Sequence, residues 1–286
     1  MKSSTPSSGQ TSTSEKFQTA SNAILSALDL HENTNNNISL SVSELCVLIN
    51  SISVAISSEN TLIEILENDK SMSSTGRLII QELSRCKAAY ESLSLSQCTV
   101  LIDRTGITRN IRSLSLSLSH MSCNNSNGGY DITGEEMERR NGDSEMVRVI
   151  TNICGEGEWF DRELRPLLSL SAADEVIRLI SSITSETLLQ SICTIKYSEW
   201  GAMLLHEEIL SIIEILENAL ETGRESVHSL FNNLLLIMKI LTLDQPGDIR
   251  KYNIPKQAKN SIINEQFIRK IMLCRIDFSI DVITKV

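Results

Sequence analysis

The densest run of residue types that could do chemistry is His206-Glu207-Glu208, which opens like the metal-binding helix of a zinc protease. That chemistry needs a second histidine one helical turn on, so that two imidazoles share a face and bind one ion. Position 210 is Leu, which removes the second ligand. Gly155-Glu156-Gly157-Glu158 is rich in glycine but has no third glycine and no lysine, and its glutamates would repel a phosphate. His31, His120, His206 and His228 are dispersed without ligand spacing. No Ser or Cys stands in a nucleophile-elbow sequence. Glu207, Glu208, Glu214, Glu217 and Glu221 read as a solvated helix face rather than a pair of catalytic carboxylates. These residues predict no enzyme, and no catalytic, cofactor-binding or metal site.

The elements around them read as helices. Residues 1–15 form a Ser/Thr-rich tail with no apolar run, so no signal peptide is expected there. Phe17, Ala20, Ile24, Ala27 and Leu28 have helical spacing up to the Asn-rich stretch at 31–37. Leu45, Leu48, Ile49, Ile52 and Ile56 share a second helical face, with a break expected at Ser57–Asn60 and a turn at Ser71–Gly76. Leu78, Ile79, Leu83, Cys86, Tyr90 and Leu93 continue the pattern. The Ser-Leu runs at 92–96 and 113–119 alternate with period two, as a strand would, but no hairpin turn accompanies them. Leu114 and Leu118 are i,i+4 partners, so helix is predicted. Polarity and glycines mark 122–145 as a long mobile loop.

Beyond it, helices are expected from Met146, around Trp159-Phe160 and Pro166, and from Asp174, with Ile177, Ile180, Ile183, Leu188 and Ile192 inward. Leu205, Ile209, Ile212, Leu216 and Leu220 make Ala202–Leu220 the strongest amphipathic helix, with Gly223 after it. Leu230–Leu243 is apolar nearly all round and is expected to be the central helix of its bundle, stopped by Asp244-Gln245-Pro246-Gly247. A last long helix from about Ser261 buries Ile262, Ile268, Ile271 and Met272. The prediction is an all-α chain of eight to ten helices: a bundle over 16–198 carrying the loop, and a C-terminal bundle over 199–286.

Composition narrows the function classes. Aromatic residues are only 4% of the chain, so Leu, Ile, Val and Met must build the core, which favours helix packing. A net charge of −10 repels nucleic acid and anionic lipid headgroups, so any membrane association is expected through protein partners. Cys46, Cys86, Cys98, Cys123, Cys154, Cys193 and Cys274 are scattered without Cys-x-x-Cys spacing and read as reduced thiols, pointing to the cytosol. No stretch is read as long and apolar enough to span a bilayer, and the chain is expected to be soluble.

Four segments, in order, carry a family resemblance. Trp200-Gly201-Ala202 followed by His206-Glu207-Glu208-Ile209 and Ser211-Ile212 resembles a stretch of subunit 4 of the conserved oligomeric Golgi complex. Phe231-x-x-Leu234 and Ile240-Leu241-Thr242-Leu243 follow the family's Phe-x-Arg-Leu and Ile-Leu-Asn-Leu, and Tyr252 falls near a family Tyr-Trp. Ile268 to Phe278, ending Arg275-Ile276-Asp277-Phe278, is similar to the family's closing segment, as are Asp281 and Ile283. The resemblance covers only the family's C-terminal part. It implies an elongated, rod-like helical-bundle subunit of a multisubunit tethering complex, acting by protein–protein contacts in intra-Golgi retrograde vesicle transport and Golgi organisation. It further implies a peripheral place on the cytosolic face of the Golgi membrane, other subunits of that complex as partners, and contacts with the SNARE fusion machinery. The N-terminal half that serves assembly in relatives is not matched, so the chain is expected to be truncated or reduced. A helical scaffold of another tethering complex, such as an exocyst-like one, is the alternative. Where the family has Arg, this chain has Asn233, and Phe267 replaces an acidic residue. If those charges pair in relatives, both partners are lost together, which predicts Asn233 and Phe267 as neighbours between the last two helices.

Overall fold

The computed structural model describes residues 40–68, 74–123, 130–140, 144–223, 225–249 and 265–284. The tail at 1–15, the helix expected from Phe17, Tyr252 and Ile262 lie outside these. The fold is all-α, and the described residues contain no strand.

Helix α1 (Val42–Glu67) runs without interruption through Ser57–Asn60, where a break was expected. No Gly or Pro interrupts it. The Ser58 and Thr61 hydroxyls donate to the carbonyls of Val54 and Ser57 one turn back, so polar side chains are satisfied inside a continuous helix. Leu45, Cys46, Ile49 and Ile52 are buried, and α1 packs along α2 (Ser74–Arg104). The latter begins within the expected Ser71–Gly76 turn, so Ser74 and Gly76 are helical. By length and composition α1 could cross a membrane, contrary to the reading that no stretch reaches that mark. Its serines and threonine hid that signal in the sequence.

Helix α3 (Ile107–Cys123) follows after Gly106, whose φ of 78° makes the turn. Both Ser-Leu runs are helical. Leu114 and Leu118 are fully buried, and Ser94 is buried with its hydroxyl donating to Glu175 Oε2 at 2.7 Å. The 122–145 segment is not simply a loop. It holds α4 (Gly134–Arg140), and Tyr130 and Ile132 are buried. Thr133 and Glu136 exchange a capping box, with the Thr133 N–H on Glu136 Oε2 at 2.9 Å and the Glu136 N–H on Thr133 Oγ1 at 3.4 Å. Thr133-Gly134-Glu135-Glu136 carries that signature in the sequence, masked by the polar residues around it.

Helix α5 (Glu145–Cys154) starts at its Ser144 cap. A π-helical turn (Phe160–Leu164) and a 3₁₀ turn holding Pro166 (Arg165–Leu167) carry the chain to α6 (Leu170–Ile192). Asp174 does not begin that helix. It is buried at 1% exposure inside its first turns. Its carboxylate accepts the N–H groups of Glu221 and Thr222, each at 3.0 Å, and the Thr222 hydroxyl. Arg178, one turn on, donates to Ser226 Oγ at 3.1 Å and to Thr222 O at 3.3 Å. Helix α6 thus clamps the turn after α7 (Glu199–Asn218), where Gly223 takes a φ of 68°. Asp174→Asn turns an amide N–H₂ toward donors and is expected to cost about 2 kcal/mol, read as a lower urea midpoint at unchanged slope.

Of the predicted α7 face, Leu205, Ile209, Ile212, Leu216 and Leu220 are all buried. Most of the expected Leu230–Leu243 helix is α9 (Asn232–Leu241), while Leu230 ends a separate short helix, α8 (Glu225–Leu230), the two parted where the buried Phe231 leaves helical geometry. Ser185 of α6 donates to the Leu230 carbonyl at 2.9 Å at that break. Leu234, Leu236, Ile237, Met238, Ile240 and Leu241 are buried, and Pro246 opens a 3₁₀ turn (Pro246–Ile249). Helices α10 (Glu265–Met272) and α11 (Ile280–Ile283) end the described chain. Asn233 and Phe267 are each half-buried, on helices α9 and α10, which pack together. Val42–Val286 cluster as one compact unit, in which α5 packs on α7, and α6 on α8 and α9.

Candidate functional site

Three segments far apart in the chain meet at the N-terminus of α7. Three short extended stretches lie side by side there, bridged in parallel between Tyr130 and Tyr197 and between Tyr197 and Arg275. The Ser198 N–H donates to Tyr130 O at 3.0 Å, the Tyr197 N–H to Cys274 O at 2.8 Å, and the Ile276 N–H to Tyr197 O at 2.9 Å. Ser198 also caps α7. Its hydroxyl accepts the N–H of Gly201 and of Ile132, each at 3.1 Å, and donates to Ile132 O at 2.8 Å.

The side chains complete the node. Tyr130 and Tyr197 pack ring to ring at 5.5 Å, both buried. The Tyr130 hydroxyl donates to Glu208 Oε2 at 2.6 Å, and the Tyr197 hydroxyl to Ile192 O at 3.0 Å. Burial pushes the Tyr197 phenol well above its ordinary value, so it stays neutral. The Arg275 guanidinium is fully buried. It donates to the carbonyls of Leu241 and Leu243 at the end of α9, forks onto Asp277 at 2.8 and 2.6 Å, and lies 4.4 Å over the Phe278 ring. Burial alone would raise the Asp277 carboxyl, but the hydrogen bonds and charge of Arg275 prevail and hold it below its ordinary value.

These contacts tie α4, α7, the end of α9 and the segment 274–278 to one another. Of the residues considered for chemistry, His206 is half-buried, and burial pushes its imidazole down. Glu208 is not on a solvated face, as expected, but 8% exposed and held by Tyr130. Gly155–Glu158 is a turn in which Gly157, at a φ of 67°, donates its N–H to Asp161 Oδ2 at 2.9 Å. Burial pushes the Cys98 and Cys154 thiols up to about 12, far from a nucleophile's range. Among the described residues no three His, Cys, Asp or Glu side chains gather as metal ligands. No protein-family model matches the chain, and no curated protein matches it.

Sequence reasoning missed Tyr130, Tyr197 and Arg275 as partners. Two signals could have pointed to them: a tyrosine stranded in a polar stretch, and an arginine set between apolar residues in Cys274-Arg275-Ile276.

Proposed function

We propose that this protein is a non-enzymatic subunit of the conserved oligomeric Golgi complex, a vesicle tether of intra-Golgi retrograde transport, working by protein–protein contacts on the cytosolic face of the Golgi membrane. The observation that carries the reading is the meeting of three resembling segments at one node. Trp200-Gly201-Ala202 begins α7 beside Tyr130, Ile240-Leu241-Thr242-Leu243 offers the carbonyls of Leu241 and Leu243, and Arg275-Ile276-Asp277-Phe278 supplies the guanidinium that takes them. Segments that resemble a family in the same order, and also pack as one physical unit, form a single constraint rather than three separate coincidences. An all-α fold is in keeping with a rod-like helical scaffold, with other subunits of the complex and the SNARE fusion machinery as its partners. Affinity purification of the tagged full chain tests this. Subunits of the oligomeric Golgi complex are expected to co-purify in fixed ratio, and recovery of exocyst subunits in their place would assign the chain to the other tether.

A further inference from the structure

Helix α1 has a second, outward face of small and aliphatic residues that the described helices leave uncovered. Val47, Ser51, Val54, Ser58, Thr61 and Ile65 step alternately by four and three residues, and all six are exposed, with Val47 at 65%, Val54 at 63% and Ile65 at 62%. At about 3.6 residues per turn this stripe lies opposite Leu45, Ile49 and Ile52, which face the core. A spacing that averages 3.5 residues is the seam along which a second helix can pack.

The seam is also prepared for a dry contact. Ser51 donates to Val47 O at 2.8 Å, Ser58 to Val54 O at 2.9 Å and Thr61 to Ser57 O at 3.0 Å, so each hydroxyl proton is satisfied within α1. Small side chains at these positions let a second backbone approach closely. Between Glu44 and Glu64 the only charged residue is Glu59, which turns to the core face at 8% exposure.

From these observations we infer that the outer face of α1 seats an amphipathic helix of a partner protein, one with small aliphatic residues at heptad spacing and basic residues at its two ends. Charge selects that occupant. The charged residues of α1 are Glu44, Glu59, Glu64 and Glu67, with no Lys or Arg among them; Glu44 and Glu64 lie toward the two ends of the stripe, while Glu59 and Glu67 turn to the core side. A second copy of α1 would set glutamates against glutamates in a parallel pairing and in an antiparallel one. A lipid surface is disfavoured too. Helices that lie on membranes carry Lys/Arg beside a broad Trp/Phe/Leu face, whereas this stripe is narrow, lacks aromatics and is flanked by acid. The inference does not depend on the Golgi reading, and the purification above and the titration below can fail separately.

The test titrates the full chain with a designed helical peptide, Ala/Leu at its heptad positions and Lys at both ends, and follows the methyl signals of Val47, Val54 and Ile65 by NMR. Saturable shifts at those methyls are expected, weakened roughly ten-fold or more by Val54→Glu, which sets a charge into the seam. A peptide with Glu at both ends is expected to bind at least several-fold more weakly. Val54→Glu alters a solvent-facing position, so its thermal midpoint should match the parent and exclude misfolding as the cause. No binding by the Lys-flanked peptide, equal binding of both peptides, or indifference to Val54→Glu each overturns the inference. So does a Val54-dependent dimer in sedimentation, or Val54-dependent flotation with vesicles of phosphatidylcholine and phosphatidylserine.

Discussion

Gly201→Ala is expected to destabilise the protein by about 3 kcal/mol, the upper end of what overpacking costs. A Cβ at this position would lie 1.7 Å from the Tyr130 carbonyl oxygen and 2.6 Å from its carbon. Neither partner can easily yield. Tyr130 O accepts the Ser198 N–H at 3.0 Å, and the Gly201 N–H is itself tied to Ser198 Oγ at 3.1 Å. The sign of the effect is what makes the experiment decisive. In an ordinary helix position, Gly to Ala stabilises by roughly 1 kcal/mol, so a raised urea midpoint would mean that α7 does not press against Tyr130. Gly134→Ala is the matched comparison. Its Cβ would meet the edge of the Trp200 ring at 3.3 Å, a side chain that can shift, and a much smaller loss is expected.

Arg275→Ala is expected to cost about 3–4 kcal/mol, with a loss of slow-exchanging amides at the end of α9. The carbonyls of Leu241 and Leu243 lie at that end, where a helix leaves acceptors without internal partners, and Arg275 supplies donors to both. Alanine strands those acceptors in a dry setting and removes the packing on Phe278. The ion pair itself adds less, because the Asp277 side chain is 42% exposed and its attraction is screened. The pH dependence separates the two contributions. The folded-state pKa of Asp277 lies below its ordinary value of 3.8, so the stability it adds is present above that pH and lost as pH falls through the lower folded value. The carbonyl contribution persists through that window. Arg275→Ala should therefore remain clearly destabilising once the pH has fallen past that window. A difference from the parent that vanished there would make Asp277 the main partner.

The predicted helices were legible because their signal is local. Leu205, Ile209, Ile212, Leu216 and Leu220 declare a buried face through spacing alone, and all five are buried. The Ser-Leu runs were resolved the same way, by Leu114 and Leu118 one turn apart. Where local signals compete, reading failed. The polar residues of 122–145 outweighed the capping box of Thr133 and Glu136, and the apolar run Leu230–Leu243 concealed a break at Phe231, beside which Ser185 reaches the Leu230 carbonyl.

Polar residues with distant partners were the hardest to place. Asp174 looks like a helix start and Glu208 like a solvated carboxylate, yet each is buried through a partner far along the chain: Thr222, 48 residues on, and Tyr130, 78 residues back. By itself the sequence determined that the chain folds as packed helices, which faces of α1 and α7 turn inward, and how acidic the chain is. Tertiary structure alone decided that Tyr130, Tyr197 and Arg275 join into one node, that Asp174 clamps a remote turn, and that the outer stripe of α1 stays uncovered by the described helices. The reason is physical. Apolar burial repeats with the helix period and is written into neighbouring residues, whereas a buried hydrogen bond requires one particular distant partner and leaves no periodic trace.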